Sequence, residues 1–310
     1  QVLLKASFVP ACLIALCRPA STSAMAARVL LFRAALAASA FAASAVEEAR
    51  RVPNFTGISA SDGIEVHANS TSADGSSSLM LSASAEVMSY VRSYVDDWGT
   101  LILSRAPGGG SSRVVAKAVV PGPLTYAGTA SGGRLFADGV AGSVVTSSYS
   151  HIKIRTLEAS NAISIVSSSH SSLRIDGGKV PLLSASCSDF ASMQLGDLRA
   201  DSASVSVSSW SSLVGMTVGS GTVSVSSSSS LTMNATQSVG LSCSSSEVHL
   251  RGGAKVTTYS SWACRVNAAG VKAATRAARA AEKAKGAAPP PAEVASVPPH
   301  RRLRTEPVLV

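Results

Sequence analysis

The chain has 310 residues, which is room for one large domain or two small ones. Hydrophobic residues make up 46% of it, but only 5% are aromatic and 15% charged, so the core must repeat many contacts between small aliphatic side chains. The net charge of +9 belongs to the two ends, because residues 52–264 carry twelve Lys and Arg against thirteen Asp and Glu. We therefore expect no specific nucleic-acid recognition by the central domain.

Residues 1–45 are predicted to be a leader of the signal-peptide type, in which Met25 is a candidate start. Two arginines precede a short apolar run, which ends in Ala-Ser-Ala at 43–45 and so fits the small-x-small cleavage rule. This pattern favours a secreted or cell-surface location. The segment ASAF at 38–41 resembles a motif in the leaders that some algae use for plastid import, so a plastid location through a bipartite leader is the alternative.

Residues 46–110 are predicted to form a β cap on the N-terminal end of a repeat region. Apolar and polar side chains alternate along four short segments, which is typical of half-buried strands, and we expect these strands to pair antiparallel. The sequence DDWG at 96–99 predicts a hairpin turn between two of them. The glycine-rich stretch that comes next has no phosphate-binding Lys-Ser pair and is expected to be a flexible connection.

Residues 111–265 contain a repeat built around clusters of serine. We define the repeat centre as the middle residue of each cluster; successive centres are 14 to 21 residues apart. The centres are Gly132, Tyr149, His170, Phe190, Trp210, Ser228, Ser245 and Tyr259. An apolar residue stands three and five positions after most centres with a polar residue between, which indicates a strand with one buried face. Since one repeat cannot bury its own apolar face, the repeats are expected to stack.

The stacked repeats predict an all-β protein whose main part is a right-handed parallel β-helix, or solenoid, of about 7–8 short coils. If residues at odd distances from a centre face inward, Ser209 and Ser211 face the core and Trp210 faces solvent. The same rule makes Tyr149, His170, Phe190 and Trp210 an exposed column that is able to face a ligand. The alternatives are corner rings without a ligand, or one ring folded inward as a plug.

A second column is predicted six residues after the centres, where Asp138, Arg155 and Asp176 follow one another on successive coils. We expect these side chains to stack as an exposed charge ladder, which stabilises a protein only modestly. The other carboxylates are scattered around the coil. They give no candidate catalytic pair, and the histidines give no metal site.

The C-terminal residues are predicted to form a basic, alanine-rich helix at 266–286 and a disordered tail at 287–310. The helix carries four cations on one face, namely Lys272, Arg276, Arg279 and Lys283. Such a segment is able to contact an anionic polymer or a membrane, and its alternative is a solvated linker.

The cysteines and the glycosylation sequons complete the candidate sites. Cys243 and Cys264 lie two before and five after their assigned centres, so with Cys187 we expect three small buried thiols. Three N-x-[ST] sequons provide candidate glycosylation sites in a eukaryotic host, at Asn54, Asn69 and Asn234.

Three motifs together resemble a known family. They are FTGISASDGIEVHANS at 55–70, DDWGTLILSR at 96–105, and the repeated serine clusters flanked by apolar, polar, apolar triplets. They are similar to the putative auto-transporter adhesin head, or GIN, domain, formerly a domain of unknown function, over about residues 52–262. The resemblance implies a β-solenoid, export and an adhesin-like surface role, and it implies no catalytic residue. In the family the repeat core is often Gly-Ser-Gly where this chain has Ser-Trp-Ser or Ser-His-Ser, so the aromatic residues and the basic tail depart from the usual pattern.

We therefore expect a non-enzymatic, exported, adhesin-like solenoid without a cofactor, which binds a glycan or a cell-surface protein through an exposed ladder face. A purely structural rod of a surface or coat is the first alternative. A β-helix enzyme that acts on polysaccharides is the second. The sequence leaves the oligomeric state open.

Overall fold

The computed structural model describes residues 45–70, 75–110 and 112–268 of the chain. Nearly all regular structure in these ranges is β, as predicted, and it forms a solenoid of about seven turns. The first nine strands are β1 (Ala45–Arg50), β2 (Gly57–Ala60), β3 (Ile64–Asn69), β4 (Ser78–Ser84), β5 (Val91–Val95), β6 (Thr100–Arg105), β7 (Val114–Val119), β8 (Leu124–Thr129) and β9 (Arg134–Thr146). A single helical turn, α1 (Ala85–Met88), separates β4 from β5.

The remaining nine strands lie in the repeat region. They are β10 (His151–Glu158), β11 (Ile163–Ser167), β12 (Ser172–Cys187), β13 (Ser192–Val207), β14 (Ser212–Val225), β15 (Ser230–Ser244), β16 (Glu247–Arg251), β17 (Lys255–Trp262) and β18 (Arg265–Asn267). From β8 to β15 successive coils pair in parallel, and β12 to β15 each extend along most of one coil.

The predicted inward column is present in the core. Leu135, Ile152, Leu173 and Met193 are paired in register from coil to coil, and each is fully buried. The column continues through Leu213, Leu231 and Val248. One continuous apolar cluster results, and the only aromatic residue in it among the described residues is Phe55. The core of the described residues is therefore built almost entirely from aliphatic side chains, and most of the aromatic rings lie outside it.

The N-terminal region differs from the predicted antiparallel cap. Strands β4 and β5 do pair antiparallel with β7 and β6, and DDWG forms the predicted hairpin turn between β5 and β6. Strands β2 and β3, however, are parallel rungs of the solenoid and lie between β6–β7 on one side and β8–β9 on the other. Alternation along a strand fixes which face is buried but leaves the direction of its partner open, and here most partners are about 40 to 70 residues away.

The last coil also differs from the prediction. Trp262 is exposed, and Val266 takes the inward place beside Val248, so the final centre is Ala263 and not Tyr259. The corrected register brings Cys264 to the same corner as Cys243, one rung away, and the two form a disulfide instead of two free thiols. Only Cys187 is a buried free thiol among the described residues, as predicted for it.

Candidate functional site

The corners that carry the ring column share an unusual backbone conformation. At five successive coils, the four that carry the rings and the next one, two consecutive non-glycine residues have positive φ; at the fourth, Ser209 has φ 58° and Trp210 has φ 64°. The amide of each centre donates a hydrogen bond to a carbonyl of the next coil, for example Trp210 N to Ser227 O at 3.0 Å. Because this pattern repeats, successive corners present their centre side chains in the same direction.

This corner explains why a tryptophan stands among serines. The residue after each centre turns inward and must be small: Ser150, Ser171 and Ser211 are each 2% exposed. Ser150 closes its corner through hydroxyl hydrogen bonds to Thr129 and Thr146. The prediction for Ser209 was wrong, since it is half-exposed on the bend; two left-handed residues replace strand alternation there.

The four centre rings form one stack on the surface, which we call the ring ladder: Tyr149, His170, Phe190 and Trp210. Ring centroids are 4.9 Å apart between Tyr149 and His170 and between His170 and Phe190, and 6.4 Å apart between Phe190 and Trp210, with interplanar angles of 17°, 14° and 6°. Tyr149, Phe190 and Trp210 are 74%, 55% and 64% exposed, so none of these rings is an inward plug. Within the stack each ring covers its neighbours, which leaves the ring edges and the two outer faces open.

The two ends of the ring ladder have different neighbours. On the rung next to Tyr149 the centre residue is Gly132, and on the rung next to Trp210 the centre residue is Ser228. Beyond Ser228 lies a shallow depression of about 340 Å³, lined by Ser228, Ser229, Ser230, Ser245, Glu247 and Arg265. The Glu247 carboxylate lies 3.7 Å from Arg265 and 3.2 Å from His249.

The residues of the predicted charge ladder line one depression of another face. Register places Arg155 level with both Asp138 and Asp176, and its guanidinium lies 3.3 Å from Asp138. Asp176 instead accepts a 2.8 Å hydrogen bond from Arg174 of its own strand. That hydrogen bond, with the charges of Lys153 and Arg155, holds the pKa of Asp176 below its usual value.

A second group of rings lies at this depression and was not predicted from the sequence. His67 stacks on Phe136 with centroids 4.9 Å apart, and His151 lies 6.0 Å from Phe136 in a tilted arrangement. Burial lowers the pKa of His151, and the cations Arg134 and Lys153 lower it further. No local sequence pattern indicates that β3 pairs with β9. This pairing brings His67 beside Phe136, although 69 residues separate them in the sequence.

The other predicted sites fall in different places. Asn54 and Asn69 are exposed, whereas Asn234 is half-buried and donates a 3.4 Å hydrogen bond to Thr217. Residues 1–44 of the leader, residues 269–286 with the four cations, and the tail lie outside the described residues. The predicted helix does not begin at 266, because Arg265–Asn267 form strand β18. The described residues contain no cluster of His, Cys, Asp or Glu suited to a metal ion. Nor do they include a helix long and apolar enough to cross a membrane.

Solved structures with a similar fold include proteins from Bacteroides and Parabacteroides. A putative adhesin from Bacteroides fragilis is 14% identical with a TM-score of 0.54, over 72% of this chain and 96% of that one. A putative adhesin from Parabacteroides merdae is 11% identical with the same TM-score, over 72% and 95%. A putative lipid binding protein from Parabacteroides distasonis is 16% identical with a TM-score of 0.50, over 72% and 96%. At these identities the likeness concerns the fold alone.

Sequence comparison gives a family as well. A comparison with curated proteins gives no match. The family model described as putative auto-transporter adhesin, head GIN domain, matches residues 54–237, from the segment before β2 into β15. That range is more than half of the chain and includes the whole ring ladder. The resemblance carried by the sequence motifs is thereby confirmed, and the chain belongs to the putative auto-transporter adhesin, head GIN domain family.

Proposed function

We propose that this protein is a non-enzymatic, adhesin-like solenoid that binds a glycan or a cell-surface protein through the ring ladder. The observation that carries the proposal is the backbone conformation beneath the rings. A bulky residue with positive φ costs roughly 1–2 kcal/mol relative to a conformation with negative φ, and glycine avoids this cost. Four such residues in succession, all with exposed rings, are a feature that stability alone does not favour.

Ring stacking offsets only part of that cost. An aromatic pair contributes about 0.5–1.5 kcal/mol beyond the area it buries, and the ring ladder has three pairs for four strained residues. Exposed apolar surface of this kind is typical of binding surfaces on soluble proteins. The proposal is therefore that the rings are kept for a ligand.

Export is the second part of the proposal. Disulfides form and persist in oxidising compartments, so the bond between Cys243 and Cys264 favours a secreted or cell-surface protein over one in a reducing compartment. The signal-peptide pattern of residues 1–45 and the adhesin family support the same location.

The proposal is tested by replacing all four rings with serine, as Y149S/H170S/F190S/W210S. Ser228 has φ 59° at the same position of the next coil, so serine is compatible with this corner. We expect the wild type to bind members of a glycan array or fixed cell surfaces and the fourfold variant to lose that binding. Trp98→Ser is the matched control, because it removes an 89% exposed ring from the hairpin turn. Binding that survives in the fourfold variant would refute the role of the ring ladder.

A further inference from the structure

The ring ladder ends at Trp210 with an open ring face. The next rung places Ser228 where a fifth ring would stand, because Trp210 N donates to Ser227 O just as Phe190 N donates to Ser209 O. Rungs of a parallel sheet are about 4.8 Å apart, which is close to the ring spacing inside the ladder. A space one ring high is therefore left against the outer face of Trp210, above Ser228.

The polar depression beyond Ser228 adjoins that space on the side away from Trp210, since Ser228 borders both. The Ser228 hydroxyl has no hydrogen-bond partner among the described residues, and the Ser230 hydroxyl, which donates to Ser212 at 3.1 Å, is still able to accept. Glu247 and Arg265 are 3.7 Å apart, and their side chains are 43% and 84% exposed, so both retain free acceptors and donors. The space and the adjoining depression thus offer a flat apolar wall at Trp210 and a charged, hydroxyl-rich region beyond Ser228.

We propose that this space is a subsite for one pyranose ring of a glycan. The subsite rests on the proposed function of the ring ladder. The C–H face of a pyranose is apolar and weakly positive, which complements the negative face of the Trp210 indole. Its hydroxyls both donate and accept, so they match Ser228, Glu247 and Arg265. An apolar ligand or an aromatic side chain would leave the carboxylate and the guanidinium without a partner.

The opposite end of the ring ladder is the poorer subsite on the same criteria. The open face there belongs to Tyr149, whose ring is smaller than indole, and the neighbouring centre is Gly132, which offers no side chain. The carboxylate that corresponds to Glu247 there, Glu65, has a side chain only 10% exposed and already accepts two hydrogen bonds from Arg113, at 2.8 and 2.9 Å. The chemistry therefore assigns the subsite to the Trp210 end.

A pair of variants separates a subsite at Trp210 from binding along the ring edges. Ser228→Tyr adds a fifth ring and fills the subsite, whereas Gly132→Tyr adds a fifth ring at the other end. Both positions have positive φ, as Tyr149 does, and a Cβ at Gly132 meets nothing closer than 3.9 Å. If ring edges bind the ligand, both variants strengthen binding; if the subsite binds it, only Ser228→Tyr weakens binding.

The readout is fluorine NMR of protein labelled with 5-fluorotryptophan, in which Trp98, Trp210 and Trp262 give three signals. The probes are cellopentaose, chitopentaose, mannopentaose and the strongest oligosaccharide ligand from the array. We expect at least one probe to shift the Trp210 signal saturably, with affinity at least tenfold lower in Ser228→Tyr and within twofold of the wild type in Gly132→Tyr. Glu247→Gln should lower affinity several-fold while leaving the unfolding temperature unchanged.

Two results would overturn the subsite. One is that no probe shifts the Trp210 signal, and the other is that Ser228→Tyr binds as tightly as the wild type. If array binding nevertheless disappears in the fourfold ring variant, the proposed function stands and only the subsite fails. If array binding is independent of the rings, the proposed function fails as well, so the two failures are distinguishable.

Discussion

At Trp210 the backbone and the side chain have opposite preferences. The backbone, with φ 64°, favours glycine, whereas the ring gains from its stack on Phe190. Trp210→Gly removes both the strain, about 1–2 kcal/mol, and the stacking, about 0.5–1.5 kcal/mol, so its stability should stay within about 1 kcal/mol of the wild type. Trp210→Val removes the stacking but keeps a β-branched residue at positive φ, so it should be less stable than the glycine variant by about 1–2 kcal/mol.

Thermal unfolding of the two variants checks this prediction. For a domain of this size, 1 kcal/mol corresponds to roughly 2–4 °C in Tm, so the two variants should be resolved. Equal stability of the valine and glycine variants would mean that the corner does not impose positive φ on its centre residue, and the strain argument for the ring ladder would lose its basis.

Cys187 is expected to be chemically silent in the folded protein. Burial raises the pKa of its thiol to about 11, and its hydrogen bonds with Ser211 and Ser212 only partly oppose this rise. The thiolate is the nucleophile, so iodoacetamide at pH 8 should leave the Cys187 peptide unmodified until denaturant is added. Mass spectrometry of that peptide gives the measurement, and rapid alkylation of native protein would contradict the buried position.

The same shift predicts an alkaline loss of stability. The folded state holds the Cys187 proton up to a pH of about 11, whereas the unfolded thiol has its ordinary pKa of 9.0. The folded state therefore binds more protons between these values, and stability falls as the pH rises above about 9. Cys187→Ala should have a smaller decrease in Tm between pH 8 and pH 10 than the wild type.

At the scale of the strands, Glu65 joins two rungs that are distant in sequence. Its carboxylate on β3 accepts hydrogen bonds from Arg113, just before β7, at 2.8 and 2.9 Å, and it lies 2.9 Å from His67. Burial raises the pKa of Glu65, but the hydrogen bonds and charges of Arg113 and His67 outweigh it, so the net pKa lies below its ordinary value of 4.5. The resulting stabilisation is present above pH 4.5 and is lost as the pH falls through the lowered value.

Glu65→Gln should therefore be destabilised near pH 7 and should lose less stability on acidification than the wild type. The expected effect at pH 7 is on the order of 1 kcal/mol, since the Arg113 side chain is 71% exposed and solvent weakens the pair. Tm at pH 7 and pH 3.5 gives the measurement, with Glu86→Gln on the exposed side of α1 as the control. An equal acid loss in Glu65→Gln and the wild type would contradict this role.

The strands also show which parts of the fold the sequence predicts. The inward column from Leu135 to Val248 follows from period-2 alternation alone, because parallel stacking repeats the same face on every coil. The place of β2 and β3 in the sheet does not follow from alternation. Their partners are distant in sequence, and no local sequence pattern indicates which strands they are. The centre assigned to Tyr259 was wrong because Thr-Thr-Tyr-Ser-Ser resembles a serine cluster, whereas the bend comes later, at Ala263.

The candidate site was predictable in part for the same reason. The outward column of rings required only the repeat spacing, but the stacking that covers the inner ring faces depends on the two positive φ angles at each corner. Composition gives no signal for that angle, since glycine, which normally marks it, is replaced by the rings themselves. The open face at Trp210 becomes evident only once the stack has been seen to stop there.

For the whole molecule, the two ends of the solenoid differ in how they are closed. At the N-terminal end, β4 and β5 cover the first rungs as antiparallel partners. At the other end, β17 and β18 form the last described rung, and each pairs on one side only among the described residues. In a stacked repeat protein each coil depends on its neighbours, so the last coil should be the first to open.

The disulfide is expected to oppose that opening. It joins Cys243 on β15 to Cys264 just before β18, and so it ties the last coil to the one beneath it. Reduction, or the variant Cys243→Ser/Cys264→Ser, should raise amide hydrogen exchange in β16, β17 and β18, while exchange in β10 to β12 stays at the wild-type rate. A cross-link that closes a loop of this length is typically worth about 2–4 kcal/mol, and here the effect should be local.

Hydrogen exchange measured by mass spectrometry distinguishes a local effect from a global one. Cys187→Ser is the control, because it removes a thiol from the core without touching the cross-link. If the double variant exchanges faster along the whole solenoid, the coils unfold as a single unit and the last coil is not a separate one. If β17 and β18 alone open, the Glu247 and Arg265 border of the proposed subsite should loosen with them, and reduction should weaken glycan binding while the stack from Tyr149 to Trp210 remains folded.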